Sequence, residues 1–257
     1  MKKILVFATI LCSLYSCTKI ITPNLNNAGP QLIIQGVVND TAGPYFVTIA
    51  RSVGFYSDNI YPNVSGALVT ITDATAGVSD VLTETTPGVY ATHTIQGTHG
   101  NTYRLKVELN GNTYTAISTM PQQSVLLDSI SFDASDAKRI RAQANFQDPV
   151  NIVNFYKFSV YVNGINKRFQ TFEDRLSDGR YIRERMDNDT SEIKTNDTVQ
   201  LSLVGVDKNV YTYLFEAEKI AYDNANLSAP ATPTTNISGG CLGYFSAQTI
   251  STKKLVR

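Results

Sequence analysis

The chain has 257 residues, and its 22 Lys and Arg balance its 22 Asp and Glu, a formal net charge of zero. That balance supplies no basic face for nucleic acid, whose binding rests on neutralising phosphates. A hydrophobic share of 42% over this length can fill one large or two modest cores.

Lys2 and Lys3 precede an apolar run from Ile4 to Leu14 that only Thr9 and Ser13 interrupt. Such a run is too short to span a bilayer, which takes ~20 apolar residues. A positive start, a short apolar middle and a small residue at the exit make a cleaved export signal. Leu14-Tyr15-Ser16-Cys17 resembles the lipobox of bacterial lipoproteins, in which the cysteine is acylated before cleavage. Residues 1–16 are therefore expected to be a lipoprotein signal peptide, and Cys17 the site of a palmitate-type anchor. Two or more acyl chains hold a protein on a membrane where one does not. Loss of Lys2 and Lys3 leaves a slightly acidic body. Cys12 departs with the signal and Cys17 carries lipid, so Cys241 has no internal partner for a disulfide.

Residues 17–30 form the lipidated N-terminus and a polar, Asn-rich tether. From residue 31 the chain turns β-like: "QLIIQGVV" (31–38), "YFVTIARS" (45–52) and "ALVTITDA" (67–74) have the two-residue period of half-buried strands. "GVYATHTI" (88–95) follows the turn signal Pro87-Gly88. In "TYRLKVELNGNTYTAIST" (102–119), Asn110-Gly111 separates two alternating runs and predicts a hairpin with a type I′ turn. Residues 31–122 are expected to form an N-terminal β-sandwich domain, closed by Pro121-Gln122-Gln123.

More strands follow at 128–132, 138–146 and 155–172, the last turning at Asn163-Gly164. A polar stretch from 173 to 197 interrupts them before "TVQLSLVGV" (198–206). Helical spacing of Val210, Tyr213, Leu214, Ala217, Ile220 and Ala221 predicts one helix at about 208–224, with Asp207 as its N-cap. A Pro-rich segment (227–236) leads to the last strand, "CLGYFSAQTIS" (241–251). Residues 123–257 thus read as a C-terminal β domain with one helix. The fold class is mainly β: two β-sandwich (immunoglobulin-like) domains.

Several stretches taken in order resemble one family: the lipobox cysteine, "LIIQGVV", "VTIARSVGFY", "GNTYRLKVELNGNTYTAISTMP", "DRLSDGRY" and "NISGGCLGYFSAQTIS". They are similar to a lipoprotein family of Bacteroidota catalogued as domain of unknown function 4249, over nearly all of the mature chain. Cys241 departs from the pattern, where an aliphatic residue is expected. The resemblance implies an outer-membrane lipoprotein, often in the company of TonB-dependent receptors, and supplies no catalytic residues.

Residue chemistry points the same way. His93 and His99 are the only histidines, and neither a G-x-S-x-G elbow nor an HExxH motif occurs. "SGGCLG" precedes a strand, not a helix, and lacks the Lys-Ser/Thr of a phosphate loop; its glycines suit unusual backbone angles or close packing. Cys241 has no adjacent cation to lower its pKa and reads as a small buried hydrophobe. "DNDTSE" (187–192) and "EDRLSDGRY" (173–181) are read as polar turns, without metal. Cofactors and catalytic residues are not expected.

Two recognition candidates remain. "EDRLSDGRY" is charged at five of nine positions, too many for a core strand, and arginine is enriched at interfaces. Asp174, Arg175, Asp178, Arg180 and Tyr181 are therefore the expected contact with a protein partner, the alternative being internal pairing of the arginines with Asp174 or Asp178. Phe55, Tyr56 and Tyr61 lie between strands and form a candidate ligand loop, unless their rings fold back over the sandwich edge. The expected function is that of a non-catalytic, lipid-anchored outer-membrane protein acting as an accessory or interaction subunit, its partner a TonB-dependent receptor. The alternative is a surface lipoprotein that binds a nutrient, a glycan or peptide.

Overall fold

The computed structural model describes residues 29–54, 57, 58, 60–135, 140–187, 193–222 and 232–257. The signal peptide, Cys17, Phe55 and Tyr56 lie outside the described residues, as do residues 188–192 of the second acidic stretch. The first half comprises β1 (Leu32–Asn39), β2 (Phe46–Arg51), β3 (Leu68–Asp73), β4 (Val78–Val81), β5 (Thr83–Thr86), β6 (Val89–Ala91), β7 (Thr102–Leu109) and β8 (Asn112–Thr119). Then come β9 (Leu127–Asp133), β10 (Arg141–Gln147), β11 (Phe155–Val162), β12 (Ile165–Glu173), β13 (Tyr181–Arg185) and β14 (Thr198–Val206). Helix α1 (Lys208–Tyr222), β15 (Ile237–Ser238) and β16 (Leu242–Val256) complete the chain. The protein is mainly β, with one helix among the described residues.

The strands form sheets of eight (β12-β11-β14-β16-β1-β2-β6-β5), five (β15-β8-β7-β3-β4) and three (β13-β10-β9). The long last strand joins the two halves. Its start, Leu242 to Gln248, pairs in parallel with β1; its end, Thr249 to Val256, pairs antiparallel with β14. Parallel neighbours need a long connection between them, and here almost the whole chain supplies it.

Alternation decides which side chains enter the cores. On β7, Tyr103, Leu105, Val107 and Leu109 are buried while Arg104 and Lys106 face out. They pack with Val69 and Ile71 of the five-stranded sheet against Ile34, Val47, Ile49 and Phe245 of the eight-stranded one. A second core sets the three-stranded sheet on β11 and β14, where the Phe146 ring meets Tyr156 at 5.5 Å, edge to face, and Phe158 at 5.8 Å. Each such side chain contributes ~1.5–3 kcal/mol by leaving water.

The turns obey their sequence signals. Asn110 and Gly111 have φ of 49° and 78°, and Asn163 and Gly164 have 52° and 80°, both pairs as a type I′ hairpin requires. Asp207 caps α1, its Oδ1 accepting the N–H groups of Asn209 (2.8 Å) and Val210 (3.0 Å). Val210 and Leu214 of that helix bury against Val204 and Val206 on the outer face of the large sheet. Ala221, in the expected apolar stripe, is exposed.

Strands β4, β5 and β15 form where none was expected, and three further segments differ from expectation. The polar stretch 173–197 contains a strand, β13, in which only Ile182 is buried. "ATHTI" leaves the sheet after Ala91, because the Asp80 carboxylate takes the N–H groups of His93, Thr94 and Ile95. The last strand is longer than its apolar part, since Lys253 and Lys254 pair along β14 with their side chains exposed.

Candidate functional site

The charged block 173–181 leaves β12 and turns back into β13 at one end of the second core. The turn is held by backbone bonds: Ser177 N–H donates to Asp174 O (2.6 Å) and Arg180 N–H to Ser177 O (3.0 Å). A second loop, between β10 and β11, packs beside it. Asp148 joins the two, its N–H donating to Arg180 O (3.1 Å) and its Oδ2 accepting Gly179 N–H (3.0 Å). Gly179 has a φ of 69°, and a Cβ there would lie 2.8 Å from Val150 Cγ2, so only glycine lets the loops touch.

Five expected contact residues divide in two. Arg175, Asp178, Arg180 and Tyr181 are exposed. Asp174 is not: it is buried, its Oδ2 accepting the Asn154 N–H at 3.0 Å, so it cannot meet a partner directly. Its place is set by the need to satisfy the backbone of the β10–β11 loop. Burial, then the charges of Asp148 and Asp178, push its carboxyl up, against the Asn154 bonds that lower it. Internal pairing of the arginines with the aspartates does not occur within 4.0 Å among the described residues; Arg175 lies 3.7 Å from Glu173 instead.

Sequence reading passed over the apolar part of this surface. Leu176 is 88% exposed, Val150 62% and Tyr181 48%, while Val153, also exposed, borders a separate hollow with Pro121 and Phe155. Solvated large side chains gathered in one place mark interaction sites more often than singly scattered ones do. The signals were present, in Asp148-Pro149 and in Asn151, whose φ is 60°, but nothing local says that Val150 and Val153 point to water. A hollow of about 400 Å³ lies at the β12–β13 turn, lined by Phe172, Arg175, Leu176, Arg180 and Tyr181 among others.

The second candidate region lies on the outer face of β1 and β2. Tyr61 is half exposed and lines a hollow of about 500 Å³ with Gln35, Thr48 and Tyr213, the last carried by α1. Phe55 and Tyr56 are outside the described residues, so only Tyr61 of the aromatic loop is placed.

The remaining reactive side chains have structural partners. His93 Nδ1 lies 3.2 Å from Asp80 and His99 Nε2 lies 3.0 Å from Asp40. Among the described residues, neither imidazole is hydrogen-bonded to a hydroxyl. Cys241 is buried in the first core, which pushes its thiol up to about 11. Gly239, Gly240 and Gly243 have φ of 110°, 82° and 98°, and a Cβ on Gly243 would fall 2.0 Å from Ile34 O. The glycine block is thus a packing device at the parallel β1–β16 contact.

These features define a mainly β protein in which one sheet serves two cores, with a loop pair bearing charged and apolar side chains at one end. The chain belongs to the family described as a domain of unknown function, DUF4249, whose model matches residues 18–254. No curated protein matches it.

Proposed function

We propose that this protein is a non-catalytic, lipid-anchored accessory subunit of the outer membrane, built of two immunoglobulin-like sandwiches joined by a common sheet. Its partner would be a membrane transporter, of the TonB-dependent class that the family resemblance implies. The observation that carries this reading is the surface at the β12–β13 turn, where Leu176 and Tyr181 stand in water beside Arg175 and Arg180, with exposed Val150 of the neighbouring loop set against Gly179. Apolar side chains with adjacent arginines are the usual makings of an interface centre. The anchor is supported by Lys2, Lys3, the short apolar run and Ser16-Cys17. No helix among the described residues is long and apolar enough to cross a membrane.

Crosslinking in whole cells tests the surface. The Arg175→Ala, Arg180→Ala double variant should recover at least about tenfold less partner, as expected when interface arginines are truncated, with its melting temperature unchanged. A lower melting temperature with normal crosslinking would show that the arginines serve the fold and would overturn the assignment. Mass spectrometry of the N-terminus tests the anchor: Cys17→Ala should abolish the acylated form, and an unmodified amine on the wild-type chain would refute it.

A second reading, capture of a glycan or peptide, draws on the hollow of about 500 Å³ beside Tyr61 and Tyr213. Concave sites with a few aromatic and polar groups are the common form of ligand pockets. A rise in melting temperature with an oligosaccharide or peptide panel, lost in Tyr61→Ala, would favour it.

A further inference from the structure

We propose that Asp148, Asp174 and Asp178 bind a single calcium ion that ties the β10–β11 loop to the β12–β13 turn. One carboxylate oxygen from each of the three lies within 4.8 Å of the others. Calcium holds its oxygen ligands at roughly 2.3–2.6 Å, so ligands on opposite sides of one ion stand about 4.6–5.2 Å apart. All three carboxylates can therefore reach the same ion. A donor set made only of carboxylate oxygens suits a hard cation better than zinc or copper, which favour imidazole and thiolate.

A second observation points to the ion independently of this spacing. Asp174 is buried, and its Oδ1 has no hydrogen-bond partner although its Oδ2 accepts from Asn154. A buried carboxylate oxygen left without a donor is costly, and proteins otherwise avoid it. No ion pair within 4.0 Å involves Asp148, Asp174 or Asp178 among the described residues. Three carboxylates thus share one spot with no protein cation beside them, and an ion would supply what the chain withholds.

The surroundings suit entry and retention. Asp178 is exposed and opens the cluster to solvent, so water can complete the six to eight ligands calcium prefers. Asp148 and Asp174 are fixed from behind, by the Tyr156 hydroxyl donating to Asp148 Oδ1 at 2.6 Å and by Asn154 on Asp174. Their ligand atoms are therefore prepositioned, which lowers the ordering cost of binding. Occupation would stiffen the segment that carries Leu176, Arg175 and Arg180. That consequence rests on reading the segment as a partner surface; the binding itself does not.

Full-length protein in detergent, stripped with a chelator and titrated with terbium chloride, provides a direct readout. Tyr156 touches the site through its hydroxyl and should sensitise terbium emission, saturating at one equivalent and reversed by calcium chloride. Calcium should also raise the melting temperature. Asp178→Asn should weaken binding at least about tenfold, since even ligand-orienting neighbours cost that much when lost. Its melting temperature in chelator should not fall below wild type, since the Asp178 side chain makes no hydrogen bond or ion pair among the described residues and its charge repels Asp174. Asp128→Asn, an exposed aspartate elsewhere, should bind as wild type does. Absence of sensitised emission and of any calcium-dependent melting shift would overturn the site, as would undiminished affinity in Asp178→Asn. Partner crosslinking that persists in chelator would leave the partner surface standing without the metal, so the two ideas fail separately.

Discussion

Asp80 illustrates how much one carboxylate can organise. It accepts the N–H groups of His93 (2.7 Å), Thr94 (2.7 Å) and Ile95 (3.1 Å) from β4, and so bends the chain out of the sheet after β6. Burial opposes its ionisation, but these three donors and the His93 side chain together outweigh burial and bring its pKa down to about 2. The unfolded chain would titrate near ~3.9. A depressed folded pKa stabilises the protein above the unfolded value, and that contribution is lost as pH falls from about 4 toward 2. We therefore expect the urea midpoint of wild type to drop over this window, and Asp80→Asn to be less stable at neutral pH by about 1–3 kcal/mol but flatter below pH 4. Equal acid slopes in the two proteins would contradict it. Nothing in "VSDVL" announces this role, because its donors lie thirteen to fifteen residues away. Gly243 is the opposite case: three glycines around one cysteine do signal unusual backbone, although the identity of the neighbour, Ile34 O, is a tertiary fact.

At the scale of elements, local signals were legible wherever pattern and turn chemistry agreed. The β7–β8 hairpin pairs Leu109 with Asn112 across Asn110-Gly111, as the alternation requires. A Cβ on Gly111 would meet nothing within 4 Å, so Gly111→Val chiefly tests backbone strain. It should cost on the order of 1–2 kcal/mol, the penalty of the left-handed region for an L-residue. An unchanged denaturation midpoint would count against the type I′ assignment. Helix α1 was legible for the same reason, since its cap and stripe are local. Asp207 does more than cap: its Oδ2 also accepts the Ser118 hydroxyl and the Thr119 N–H (3.2 Å) of β8, fastening the helix to the first core. Strand β13 was not legible, because an edge strand with one buried residue, Ile182, carries no periodicity.

Across the whole molecule, the shared strand couples the two cores. Ile237, Cys241, Phe245 and Ala247 belong to the first core although they follow the entire second one in sequence. Residues 31–122 alone would lack these side chains and the β16 neighbour of β1. We expect that fragment to show no cooperative thermal transition, and a chain ending at residue 236 to lose cooperativity in both halves. A sharp melt for residues 31–122 would show that the first core closes without the C-terminus.

The sequence by itself determined the β class, the alternation along the main strands, both Asn-Gly hairpins, the capped helix and the family. Each depends on residues within a few positions of one another, where periodicity and backbone preference act. The tertiary structure decided what brings distant residues together: the parallel pairing of β1 with β16, the burial of Asp174 and its meeting with Asp148, and the exposure of Val150, Val153 and Leu176. Short-range preference carries no information about such contacts, because a side chain's burial is fixed by which sheet closes over it.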